Sequence, residues 1–273
     1  MSPAPRAIEL FLSLGLVAAA GAPFVAAPGA GAQHLQHTQP SPLAQGGAAG
    51  EGGEGGEGGE GGEARHSPAV STDAEVLVVL AQMQGHLLVA QELLSRGDAQ
   101  AAEPHVGHPV DELYGSLEGV IATGRLQPFR DSLDVLRQQV RLAPTSPATA
   151  QKLAKAQQML QAATTTVAPS LNSQPPLLLA VTRSLALSAA SEYEAAVADD
   201  RIAETIEYQD ARGLLLQAQR LLRQAITAAP GTAAGVQPAL SRIEAMLRAV
   251  PSPVPPQRVV LSVSQLRSLA SSI

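Results

Sequence analysis

The chain of 273 residues is 45% hydrophobic, 15% charged and 2% aromatic, with a formal net charge of −6 and neither Cys nor Trp. The lack of cysteine excludes a disulfide framework, a thiolate metal or haem attachment and a lipobox anchor. Five of the acids, Glu51, Glu54, Glu57, Glu60 and Glu63, occupy one Gly-Glu tract, leaving 18 acids against 16 bases from Asp73 onward; a near-neutral body without basic stripes excludes nucleic acid as a partner.

Residues 1–32 read as an export signal. Arg6 precedes an apolar run from Leu10 to Ala20, and Ala30-Gly31-Ala32 has the A-x-A form of a signal-peptidase site. The run is shorter than the roughly 20 residues a membrane span needs. The next apolar stretch, residues 177–181, is cut off by Arg183. The mature chain is therefore expected to have no membrane span and to be periplasmic or secreted. Residues 33–71 hold Gly, Ala, Pro, His and a repeated G-G-E triplet. Such a segment buries too little apolar surface to offset its ordering entropy, so it reads as a disordered Gly/Glu-rich tether with His34, His37 and His66 as solvated linker residues.

From residue 72 to 273 apolar residues recur at helical spacing. Thr72-x-x-Glu75 is a capping box that opens a helix running to about Ser95, with Val79, Met83, Ala90 and Leu93 on one face. Gly97 ends it, and Asp98 caps a short successor that Pro104 stops. Pro109 suits a first helical position, which predicts a helix to about Ala122, ended by Gly124. Further helices are expected over residues 128–142, 147–164, 175–198, 200–228 with Asp200 as cap, 238–250 and 264–271. Short connections make successive helices antiparallel neighbours. The fold class is thus all-α, an antiparallel helical bundle or an array of helix hairpins behind the tether, with a candidate sub-boundary at 144–147.

Chemistry is sparse and therefore conspicuous. Folding the first two helices at Gly97 brings His86, 11 residues before the turn, level with His108, 11 residues after it, and His105 lies one turn away. Glu112, one turn beyond His108, adds a carboxylate. Histidine and carboxylate donors suit zinc, iron, copper or nickel. A second reversal at Asp199-Asp200-Arg201 gathers Glu192, Glu194, Glu204 and Glu207 near one level, and Glu207 and Asp210 share a helix face. Ion pairing with Arg183, Arg201 or Arg212 on a partly solvated face would explain those acids equally well. Tyr114, Tyr193 and Tyr208 each stand beside or two positions after a glutamate, which points to carboxylates as partners of their hydroxyls. There is no G-x-S-x-G, no H-E-x-x-H and no phosphate-binding glycine loop, so the chain reads as a non-enzyme.

Glu192-Tyr193-Glu194-Ala195-Ala196-Val197, Asp199-Asp200-Arg201-Ile202 and Glu207-Tyr208-Gln209-Asp210-Ala211-Arg212-Gly213 resemble the helical periplasmic region that accompanies bacterial high-affinity iron permeases. Gly85-His86-Leu87-Leu88-Val89, His105-x-x-His108-Pro109 and Glu112-Leu113-Tyr114 resemble uncharacterised exported helical proteins with a G-H-L…H-x-x-H-P…E-x-Y pattern. Asp200 stands where the former region has a turn glycine, and the permease's own membrane helices and Arg-Glu-x-x-Glu motif are absent. The resemblance implies an exported accessory of iron or zinc uptake or homeostasis. Its metal ligands would be His86, His105, His108 and Glu112, with Glu207 and Asp210 as a second group, and its partner an envelope metal-transport protein. The alternative expectation is a tethered helical interaction module that binds no metal.

Overall fold

In the computed structural model the described residues are 69–273. The export signal, and the tether up to residue 68, lie outside them. The end of the expected tether is not loose: Val70 is buried and its N–H donates to Ser116 O at 3.3 Å, while the Ser71 N–H donates to the Glu75 carboxylate at 2.9 Å.

The chain forms α1 (Asp73–Ser95), α2 (Ala99–His108), a π-helical turn (Pro109–Leu113), α3 (Tyr114–Ala122), α4 (Arg130–Leu142), α5 (Pro147–Val167) and α6 (Pro175–Ala196). A two-residue ladder of β1 (Val197–Ala198) and β2 (Arg201–Ile202) follows, then α7 (Thr205–Ala228), α8 (Ala233–Leu247) and α9 (Val263–Ser271). The start and stop signals act as the sequence implies. Thr72 and Glu75 form the capping box. Gly97 (φ 80) closes α1 with the Asp98 N–H on Leu93 O, and Asp98 then caps α2 through Ala101 N.

Three expectations fail for local reasons. Pro104 lies inside α2 instead of ending it; its ring removes one backbone bond, and the helix carries on to His108 because both its ends are held. Asp200 is no helix cap: Asp199 and Asp200 (φ 51 and 57) form the tight turn of the β1–β2 hairpin, paired Val197↔Ile202 and Ala198↔Arg201. Aspartate tolerates the left-handed region such turns demand, and α7 starts only at Thr205. Pro238, expected to open a helix, is inside α8.

The centre of the fold is α1, which packs against α5, α6 and α7, while α6 and α7 share the most extensive helix–helix interface among the described residues. By length and composition α1 would qualify as a membrane span, a candidate that the sequence expectations did not include. Most of it is buried inside the bundle, and its polar side chains bond to neighbouring helices: Gln82 to Ser188 (3.2 Å), Gln84 to Thr164 (3.3 Å) and to Gln217 (3.0 Å). Those bonds suit a core helix and not a lipid-facing one.

Where α1 crosses α7 two glycines meet. A Cβ on Gly85 would lie 3.0 Å from the Gly213 carbonyl oxygen, and one on Gly213 would run into the Gly85 carbonyl. Small residues at such a crossing let two backbones approach closely. Gly213→Ala should therefore cost about 1–3 kcal/mol through forced separation of the helices, despite alanine's better helix propensity. Gly119→Ala, in α3 with nothing within 4 Å of the added carbon, should gain up to about 1 kcal/mol. Thermal melts of the two variants should move in opposite directions; a Gly213→Ala protein melting at or above the wild type would contradict the tight crossing.

Candidate metal centre

The crossing carries the site. His86 follows Gly85 on α1, and Asp210 lies one turn before Gly213 on α7, so the close approach brings a short carboxylate within reach of an imidazole. α2 folds back at Gly97 and adds His105 and His108. Its position is fixed from behind by Arg137 of α4, whose guanidinium lies where a side chain at Gly107 would be. Arg137 also bonds Glu103 at 2.7 Å and pairs with Asp111 at 2.8 Å on either side of that glycine. After His108 the backbone widens into the π turn, closed by the Tyr114 N–H on Pro109 O. π turns of this kind often mark functional sites.

Three Nδ1 atoms converge on one carboxylate. His86 Nδ1 is 2.8 Å and His105 Nδ1 2.7 Å from Asp210 Oδ1. His108 Nδ1 is 3.3 Å from Oδ2, within ion-pair reach but out of line for a hydrogen bond, and it is buried without another partner. One ligand atom from each of His86, His105, His108 and Asp210 lies within 4.8 Å of all the others; donors near 2.1 Å from a single ion stand at most about 4.2 Å apart, so coordination would draw the four slightly together. His86, His105 and Asp210 are buried, and His108 is partly exposed.

His105 is anchored on its far side as well. Its Nε2 is 2.8 Å from Gln209 Oε1, and Gln209 Nε2 donates to Pro253 O at 3.0 Å. The second bond fixes which end of the amide is oxygen, so Nε2 of His105 is the donor and its Nδ1 faces the cluster. Metal-binding imidazoles are commonly oriented by such an outer partner.

The electrostatics are those of a desolvated charge held by neighbours. Burial works to raise the Asp210 carboxyl, but the facing imidazoles of His86 and His105 and the hydrogen bond from His105 outweigh it and hold it well below the usual range. Burial disfavours the His108 imidazolium, yet the facing Asp210, Glu112 and Glu192 lift it to about 9. Glu192, buried on α6, is pushed well above an ordinary carboxyl by burial and then by Asp210, Glu112 and Glu207.

Of the six expected ligands the fold unites four in one centre: His86, His105, His108 and Asp210. Asp210 joins the histidines rather than forming a second group with Glu207. Glu112, in the π turn, is one step out, 4.0 Å from His108 Nε2. Glu207 is half-buried one turn before Asp210 and acts on Glu192 electrostatically. Glu194 is exposed and pairs with Arg267, and Arg212 pairs with Glu92 of α1 at 2.6 Å, so the arginine pairings expected for this acid group do not form. The tyrosine hydroxyls do not seek carboxylates: Tyr193 donates to Leu261 O at 2.8 Å and Tyr208 to Ser252 O at 2.9 Å, while the Tyr114 hydroxyl accepts from the Phe129 N–H. Gln209 and the Gly85–Gly213 contact had no sequence signal, since one is an ordinary helix-surface residue type and the other pairs positions 128 apart in the chain.

Residues 168–273 match the model of the family described as iron permease-associated 4-helix bundle domain. The matched segment holds α6, α7, α8 and α9 and contributes Glu192, Glu207, Gln209 and Asp210, whereas all three histidines stand on α1 and α2, before it. Among curated proteins and among solved structures nothing matches the chain.

The His108 shift has a checkable consequence. The folded ion-free protein holds that proton to about pH 9 and the unfolded chain only to about its ordinary 6.5, so this stabilisation is complete below 6.5 and is lost as pH rises through 9. The loss should be roughly 3 kcal/mol; the raised Glu192 works in the same direction, and the lowered Asp210 matters only in acid. Urea unfolding of the chelator-treated protein should give a falling midpoint between pH 6.5 and about 9.5, with a shallower fall in His108→Gln; a flat wild-type profile would contradict the assignment.

Proposed function

We propose that the chain is an exported accessory protein that binds a divalent first-row transition metal through His86, His105, His108 and Asp210, in association with an envelope iron permease. The observation that carries this reading is the convergence of three imidazole Nδ1 atoms on a single buried carboxylate, one of them with no well-directed hydrogen bond. Four neutral or charged side chains that merely locked helices together would be expected to satisfy one another. Here His108 Nδ1 faces Asp210 Oδ2 across 3.3 Å without a directed hydrogen bond, a gap that shared coordination of a cation would use.

The donor set is three nitrogens and one oxygen, without sulfur, which suits zinc or iron. The match of residues 168–273 to an iron permease-associated domain supports iron as the physiological cargo and a permease as the partner. Glu112 stands beside the centre, 4.0 Å from His108, and adds negative charge that would favour a cation there. No catalytic role is assigned to any of these residues: the proposed task is to hold the ion outside the cytoplasm and pass it on.

Calorimetric titration of the chelator-treated protein with zinc, and anaerobically with ferrous ion, should give one site per chain. Loss of an outer partner of a metal ligand typically weakens affinity roughly 10- to 100-fold, so His105→Ala and Asp210→Asn, which remove ligands themselves, should weaken it at least as much. Binding near neutral pH should also release a proton from His108, which the ion-free protein holds to about pH 9. Wild-type heats identical to buffer, or isotherms unaltered in both variants, would remove the metal reading and favour a purely structural cluster.

A further inference from the structure

Between α8 and α9, residues 248–262 contain four prolines in six positions, Pro251, Pro253, Pro255 and Pro256, and no regular element. Yet this strap is tied down at many points. Arg212 NH1 donates to Val250 O at 2.6 Å, Tyr208 to Ser252 O at 2.9 Å and Gln209 to Pro253 O at 3.0 Å. At its far end Tyr193 donates to Leu261 O at 2.8 Å, and the Val259 N–H donates to Asp200 O at 3.3 Å. In four of these five bonds side chains of α6 and α7 supply the donor and strap carbonyls the acceptor, an arrangement suited to a proline-rich segment that has few N–H groups of its own.

One of these tethers also reaches the metal centre. Gln209 is buried, accepts from His105 Nε2 and donates to Pro253 O. Its amide therefore joins a metal-facing imidazole to the strap by two hydrogen bonds, with no other residue between. Tyr208 and Arg212 hold neighbouring carbonyls without touching the histidines, so Gln209 is the direct link.

We propose that Gln209 is a positioning residue for the metal centre: it keeps His105 Nδ1 turned toward Asp210 and makes the order of the 248–262 strap depend on occupancy of the site. The inference rests on the metal reading above and deepens it. When the ion draws His105 Nδ1 inward, Nε2–H becomes a stronger donor, and the Gln209 amide, held between the two partners, stiffens the strap. Conversely, a partner that lifts the strap would take away the group that aims His105 and so weaken the grip on the ion.

Two substitutions separate the two halves of the link. Gln209→Glu keeps an acceptor for His105 but loses the donor to Pro253; Gln209→Met, of similar length, loses both. The full chain is titrated with zinc, His105 Nε2–H is followed by nitrogen–proton correlation spectra with and without zinc, and strap amides such as Val259 are followed by hydrogen exchange. Gln209→Met should bind zinc roughly 10- to 100-fold more weakly and lose the slowly exchanging Nε2–H signal. Gln209→Glu should retain both, while zinc no longer slows exchange in its strap as it does in the wild type; a folded melt for either variant excludes simple collapse. Wild-type zinc binding combined with unaltered affinity and an unaltered Nε2–H signal in Gln209→Met would overturn this inference and leave the metal reading standing. A wild type that binds no zinc or ferrous ion would overturn both.

Discussion

The site depends on how closely two helices can approach. With side chains at positions 85 and 213, α1 and α7 would sit farther apart, and neither the carboxylate of Asp210 nor the ring of His86 is long enough to bridge a wider gap. Because both positions are glycine, backbone meets backbone, and the polar residues one position and one turn away are brought together in a space that excludes water. The cost of dehydrating Asp210 is met by imidazoles on the opposite helix and on α2, which is why the carboxyl remains ionised there instead of taking up a proton.

The helices were largely legible in the chain, because their ends are written in short-range chemistry. Thr72 with Glu75, Gly97 with Asp98, Ser146 before Pro147, and Gly124 each act where their residue types imply. What misled were residues with two common uses. Pro104 and Pro238 can end or start a helix but are tolerated inside one when packing holds both flanks. Asp200 can cap a helix or occupy a left-handed turn, and the two-residue hairpin took it for the latter.

At the site, equal spacing about Gly97 correctly put His86, His105 and His108 together, since an antiparallel hairpin converts sequence symmetry into spatial level. The same argument about Asp199 and Asp200 brought Glu192 and Glu207 close but could not say that Asp210 would belong with the histidines. That depends on the crossing of α1 over α7, a contact between distant positions with no periodic trace. The tyrosines were misassigned for a related reason: Tyr193 and Tyr208 donate to strap carbonyls 68 and 44 residues downstream, and the Tyr114 hydroxyl accepts from the Phe129 N–H.

The donors are unevenly shared among the elements. One imidazole stands on α1 and the carboxylate on α7, both deep in the bundle, while the other two imidazoles stand on α2, a helix of ten residues that contains Pro104 and runs into a π turn. Short elements of this kind open on their own far more often than a whole domain unfolds. Two of the four clustered side chains thus belong to α2, held in place by Arg137 of α4, and two to the α1–α7 crossing, so displacing α2 alone would separate half of the cluster and leave that crossing standing. For the binding role proposed above, the route by which an ion leaves would then run through α2 and its Arg137 latch, with the rest of the bundle unchanged.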